Sequence, residues 1–247
     1  IGDRYFDRAD AIRFDPSATQ FLAGNSWWLA EISRWIYNLD GMSRGDRSLP
    51  QRYLAAGGLR EVAFFSRKGT HCALIESDAG GDADLTGMHA GSFAVLVFRG
   101  SSEPRNWLTN AVTVPLRNDV HRGYDMALDQ VWDDVTRCID QLSCPVFYTG
   151  HSMGAALATL AARRRPPQAV YGFGSPRVGR RELARSFAKI PFYTVVNYRD
   201  LATRLPSPRV YTHMGELIYI SHDGELWVNP RHAAVRADSR RGTRRIT

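Results

Sequence analysis

Cysteine is scarce in this 247-residue chain. The three that occur, Cys72, Cys138 and Cys144, cannot build a disulfide scaffold, and their odd number leaves at least one thiol unpaired. Long apolar runs are missing too: no stretch reaches the roughly 18 residues that a membrane-spanning helix requires. The 21 glycines and 12 prolines follow no period, which excludes collagen-like and low-complexity chains. Neither H-E-x-x-H nor C-x-x-C occurs and the histidines are scattered, so no metal is expected. Both G-x-G-x-x-G and G-x-x-x-x-G-K-[ST] are absent, which removes the usual nucleotide sites. What is present is ordinary for a globular protein: 44% hydrophobic and 23% charged residues.

Lysine is almost absent, with Lys68 and Lys189 the only two among 32 basic residues. Such arginine bias can mark a polyanionic partner and can equally reflect the codon usage of a GC-rich genome. The formal charge is +7, but Arg231–Thr247 holds six arginines against one aspartate and supplies +5 of it. The body is left with +2, so no nucleic-acid partner is expected. Arg163-Arg164-Arg165 and Arg180-Arg181 close or open helices, where arginine is common. Ile1–Asp10 carries too many charges for a signal peptide, and the missing Met suggests a trimmed or processed start. A soluble bacterial-type protein, secreted or cytoplasmic, fits these features.

Asp15-Pro16-Ser17 looks like a helix start, and apolar spacing from Phe21 to Ile36 predicts an amphipathic helix over 17–38. Short strands are expected at 63–65 and 73–75. The run 92–99 is apolar on both alternating faces, as in a strand buried in mid-sheet. One helical stripe extends from Gly123 to Leu142. Strands at 145–149, 169–173 and 192–197 then alternate with helices at 155–162 and 180–188. Further strands are expected at 210–212, 217–220 and 226–228. This alternation predicts an α/β fold with a central, mostly parallel sheet flanked by helices, in a single domain over 1–247. The segment 231–247 reads as a basic tail, an incomplete C-terminal segment.

Gly150-His151-Ser152-Met153-Gly154 fits the nucleophile elbow G-x-S-x-G. The serine of such an elbow sits on a strained turn where strand and helix backbones nearly touch, so its flanking positions must be small. The pentapeptide alone is weak. Here an apolar strand precedes it and an alanine-rich helix follows, aiming N–H groups at the place where an oxyanion would develop.

Several ordered segments make the chain resemble the class 3, or fungal-type, lipases of the α/β-hydrolase fold. They are F-R-G-S-S at 98–102, R-N-W-L-T-N at 105–110, V-H-R-G-Y at 120–124 and T-G-H-S-M-G-A-A-L-A at 149–158. F-G-S-P-R-V-G at 173–179, N-Y-R-D-L-A-T-R-L-P at 197–206 and Y-T-H-M-G-E-L at 211–217 complete the series, which covers about half the chain. The resemblance implies a serine carboxylic-ester hydrolase acting on lipid esters, like a triacylglycerol lipase, through an acyl-enzyme and with no cofactor. It implies Ser152 as nucleophile, Asp200 as triad acid, and the N–H groups of Met153 and Ser101 as the oxyanion hole. It also implies a short lid helix near 104–111, where Pro104, Trp107, Leu108 and Ala111 share one apolar face. Trp107 and Leu108 would then meet lipid or a small ester at a lipid–water interface, although a fixed surface helix has the same pattern. Carboxylesterase and phospholipase A1 are the neighbouring alternatives.

Two departures are minor: Ala155 stands where the family commonly has glycine, and Met153 replaces the usual leucine. The third concerns the base. His71 and His89 lie near early strands, His121 and His213 match structural positions, His151 sits inside the elbow and His222 in a hairpin turn. His232 is the one late candidate, close to Asp200 for this family, and nothing in 231–247 resembles the family's Asp-His segment. The base is therefore expected beyond Thr247. A lipase fold used for binding, with hydrolysis lost, is the alternative from another class.

Overall fold

The computed structural model describes residues 4–39, 47–77, 88–101, 116–117, 119–200 and 211–244. Its centre is an eight-stranded sheet in the order β1-β2-β3-β6-β7-β8-β9-β10. These strands are Leu59–Arg67 (β1), Thr70–Ser77 (β2), Ala94–Phe98 (β3), Val146–His151 (β6), Ala169–Phe173 (β7), Phe192–Asn197 (β8), Glu216–Ile220 (β9) and Leu226–Val228 (β10). β3, β6, β7, β8 and β9 run parallel, while the hairpin partners at either edge are antiparallel. Leu116–Arg117 (β4) and Val120–His121 (β5) form a separate small ladder.

The alternation along β3 explains why it reads as apolar throughout. Ala94, Leu96 and Phe98 join the core on one face, against Leu157 and Leu160 of Met153–Arg164 (α5). Val95 and Val97 join the core on the other face, against Trp28, Leu29 and Ile32 of Ala23–Trp35 (α1). Burying both faces of a parallel sheet requires helices on both sides, each bringing its own apolar stripe.

Four expectations change. The first helix begins at Ala23, because the Asp15 carboxylate accepts from the N–H and hydroxyl of Ser17 and closes a local turn. The predicted 123–142 helix is two, Arg122–Asp129 (α3) and Trp132–Ile139 (α4), broken where Val131 turns to φ −122°, ψ −9°. No sequence breaker marks that joint, and the buried stripe Leu128, Val131, Val135, Ile139 runs straight across it. The strand expected at 210–212 is an isolated bridge from Thr212 to Gly179, with residue 210 outside the described residues. The supposed tail is a helix, His232–Arg244 (α7). Ser48–Ala56 (α2), with only Pro50 and Leu54 buried, carried too short a pattern to be read; Arg181–Ser186 (α6) lies within its expected span.

Candidate active site

β6 ends and α5 begins at a single residue. Ser152 holds φ 56° and ψ −124°, a left-handed setting that a residue with a Cβ rarely adopts. Its N–H is fixed by the Phe173 carbonyl at 2.9 Å, and its own carbonyl accepts the N–H of Ala155 at 3.0 Å. Neighbouring space explains both elbow glycines. A Cβ on Gly150 would strike the Gly154 backbone, and one on Gly154 would strike the Phe98 carbonyl. Strand, helix and the end of β3 thus meet through bare backbone, leaving the half-exposed Ser152 turned out of the sheet.

The loop leaving β3 lies beside this turn. Phe98 is paired with Gly150, and a Cβ on Gly100 would sit 2.6 Å from the His151 carbonyl. Ser101 is the next residue along this loop.

Asp200 arrives from the end of β8, its N–H bonded to the Asn197 carbonyl at 2.9 Å. Its carboxylate lies against Gly174 at the end of β7, so close that a Cβ there, already at φ 56°, would collide with it. The His151 ring borders the same spot, its Cδ2 3.5 Å from that virtual Cβ. Desolvation lowers the His151 pKa, and the Asp200 charge opposes the shift.

Tyr37, on the 3-10 turn Ile36–Leu39 that continues α1, had no role in the sequence reading and proves to border this site. Its Oη is 3.1 Å from His151 Nδ1 and takes a backbone bond from Gly100. Either the phenol or the imidazole can donate in the contact with Nδ1, according to the His151 tautomer. Tyr37 lies within the helix expected over 17–38 but off its apolar stripe, so no sequence signal singled it out.

The other histidines go elsewhere. His89 packs edge-on to Trp28 and Phe93, His71 stacks on Phe64, and His121 stacks on Tyr124. His213 sits on the connection that enters β9 at the opposite edge of the sheet. His222 has a carboxylate partner, with Nδ1 2.5 Å from Asp238 Oδ1, but that partner is on α7 and not Asp200. His232 is exposed at the start of α7. β10 runs antiparallel to β9, so the chain leaves it at the edge remote from Ser152, and α7 then climbs back until Gly242 packs on Tyr198. At 1.5 Å per residue His232 lies roughly 15 Å below that contact, which takes it away from the acid. The segment 104–111, with Trp107 and Leu108, lies outside the described residues. Among the described residues no cluster of three or more His, Cys, Asp or Glu could hold a metal ion, and no helix is long and apolar enough to cross a membrane.

Residues 95–210 match the family model of the class 3 lipases. The chain is 30% identical over 167 residues to a secreted mono- and diacylglycerol lipase A of Penicillium cyclopium, covering 60% of this chain and 52% of that protein. Among solved structures it is similar to the Rhizomucor miehei lipase in its propeptide complex, with a TM-score of 0.63 and 25% identity over 81% of this chain and 70% of that one. It is also similar to a triacylglycerol lipase whose catalytic centre is described as a serine protease triad, at 27% identity and a TM-score of 0.57, covering 70% of this chain and 71% of that one. The chain spans about half the length of the curated relative, 52%. Sheet order, elbow and these likenesses together make the architecture an α/β-hydrolase fold.

Proposed function

The chain belongs to the class 3 lipase family, and from that premise we propose that it is a serine hydrolase cleaving carboxylic esters of lipids through an acyl-enzyme. The observation that carries the proposal is the strained Ser152 turn between β6 and α5, with Asp200 on the β8 loop beyond β7. The Ser152 hydroxyl attacks the ester carbonyl carbon, forming the Oγ–C bond while its proton passes to an imidazole base. The resulting oxyanion is held by the N–H groups of Met153 and Ser101, each such donor being worth about 3 kcal/mol in the transition state. Collapse expels the alcohol, which takes the proton from the imidazolium. Water then adds to the acyl carbon by the same route and releases the acid. Asp200 orients the imidazole and stabilises its charged form.

The resemblance supports mono-, di- or triacylglycerols as substrates, met at a lipid–water interface beneath a lid at 104–111 that carries Trp107 and Leu108. The test is hydrolysis of soluble and emulsified p-nitrophenyl esters, with Ser152→Ala expected to lower kcat by about 10⁴-fold or more. An emulsion should raise the rate if 104–111 acts as a lid. The histidine seen beside Asp200 is His151, within the elbow itself, an arrangement that favours a second reading as a lipase-fold binding protein. Absence of turnover, with Ser152→Ala indistinguishable from the parent, would establish that second reading instead.

A further inference from the structure

Of residues 232–242 in α7 only Asp238 and Gly242 are buried, so the helix gains little from apolar contact. It grips one loop instead. Asp238 fixes the helix by accepting the Tyr219 hydroxyl at 2.9 Å and the His222 N–H at 3.0 Å, and it meets His222 Nδ1 at 2.5 Å. The next residue, Ser239, donates from Oγ to the Tyr198 carbonyl at 3.2 Å. Three residues on, Gly242 is wedged between the Tyr198 ring and His222 Cβ. The helix thus lands on the residue two positions before Asp200.

The bonds around Tyr198 define what that grip does. Its own N–H donates to the Ile220 carbonyl at the end of β9, at 3.1 Å. The following N–H, of Arg199, donates to Asn197 Oδ1 at 3.2 Å. The peptide joining Tyr198 to Arg199 is therefore pinned at both ends, its carbonyl by α7 and its N–H by Asn197. Asp200 N–H then closes the turn on the Asn197 carbonyl at 2.9 Å. With that peptide plane held, the direction in which the Asp200 carboxylate leaves the loop, toward Gly174, is set as well.

Gly242 carries separate information. Glycine weakens a helix interior, and alanine is the best helix former. Here, however, an added Cβ would collide with the Tyr198 ring and lie 2.8 Å from His222 Cβ. The glycine weakens α7 itself, and what it allows in return is close seating against the acid loop.

We infer that Ser239 and Gly242 are positioning residues for Asp200, holding the loop 197–200 so that the carboxylate stays aligned with the imidazole base. The catalytic consequence rests on the serine-hydrolase reading, whereas the grip on the loop can be measured without it. Parent, Gly242→Ala, Ser239→Ala and Ser239→Thr are compared by amide exchange and by steady-state kinetics on a soluble p-nitrophenyl ester across pH. Gly242→Ala should speed exchange at the Tyr198 and Asp200 N–H groups while β6 and β7 stay protected. A helix that served only its own stability would be unharmed by this alanine. The kcat should fall about 10- to 100-fold with KM little changed, the scale of a small misplacement of a catalytic group. A nearby carboxylate favours the charged imidazole, so the acid limb of kcat/KM should move to lower pH as Asp200 loses alignment. Ser239→Ala should lower kcat about fivefold, the worth of one hydrogen bond, and Ser239→Thr, which keeps the hydroxyl, should recover most of it.

Parent-like exchange at 198–200 in both Gly242→Ala and Ser239→Ala would overturn the inference. So would faster exchange there with kcat and the acid limb unchanged, or a loss of protection shared equally by β6 and β7. Faster exchange at 198–200 in the variants of a parent that turns over no ester would instead reject the hydrolase reading and leave the grip on the loop standing.

Discussion

The elbow depends on missing side chains as much as on the serine. Gly150 and Gly154 let three backbone segments meet, and the φ of 56° at Ser152 is held because Phe173 and Ala155 fix its N–H and C=O. Tyr37 contributes from a distant part of the chain by bracing Gly100, one residue before Ser101, against His151. Tyr37→Phe keeps the ring but removes that brace, leaving the Gly100 N–H without its acceptor. The expected result is a kcat about tenfold lower with KM little changed, because the loop loses alignment and the binding surface does not. Steady-state kinetics on a soluble ester checks this, and an unchanged kcat would falsify the bracing role. The elbow was legible as a motif because its steric demands fall on consecutive residues. Tyr37 was not, because its partners lie 114 and 63 positions along the chain.

Elements read best where their stability comes from an apolar stripe. α1 and α5 bury such stripes and were recognised, apart from the start of α1, which the Asp15–Ser17 turn displaced. α7 was taken for a tail because it lacks a stripe: its anchor is polar, one buried carboxylate collecting bonds from Tyr219 and His222. Hydrophobic periodicity cannot register an attachment of that kind. Asp238→Ala should therefore release α7 while the sheet stays folded. Amide exchange over 233–242 is expected to lose at least about 2 kcal/mol of protection, with β6 and β7 unaffected. Uniform loss across the sheet, or none in α7, would show that the helix is held by something else.

At the scale of the whole molecule, the charged groups predict a two-step response to acid. Desolvation lowers the His151 pKa from its ordinary 6.5, so the unfolded chain binds the proton more readily than the native one. Stability then falls as pH drops through about 6.5 and levels off below the native value. The carboxylates act at lower pH. Asp15 is lowered by its Ser17 bonds and Asp134 by Arg67, while Asp238 is lowered by the His222 and Tyr219 bonds despite desolvation. Their contribution is complete above the ordinary 3.8 and is lost as pH falls through the native values. Urea midpoints measured from about pH 8 to pH 3 should show both steps, and His151→Gln should reduce the upper one and leave the lower one in place. A parent profile flat between about pH 7 and pH 5 would contradict the upper step.

The sequence by itself determined the alternating α/β architecture, the elbow at Ser152 and the concentration of charge after residue 230. Each of these is written in neighbouring residues, through period, spacing or composition. Tertiary structure decided how Tyr37, Gly100 and His151 join, that His222 belongs to Asp238, and that His232 is carried to the wrong edge of the sheet. Those outcomes depend on which strands are adjacent and which way each one runs. A hydrogen bond between distant residues leaves no period in the chain, so only the fold could assign it.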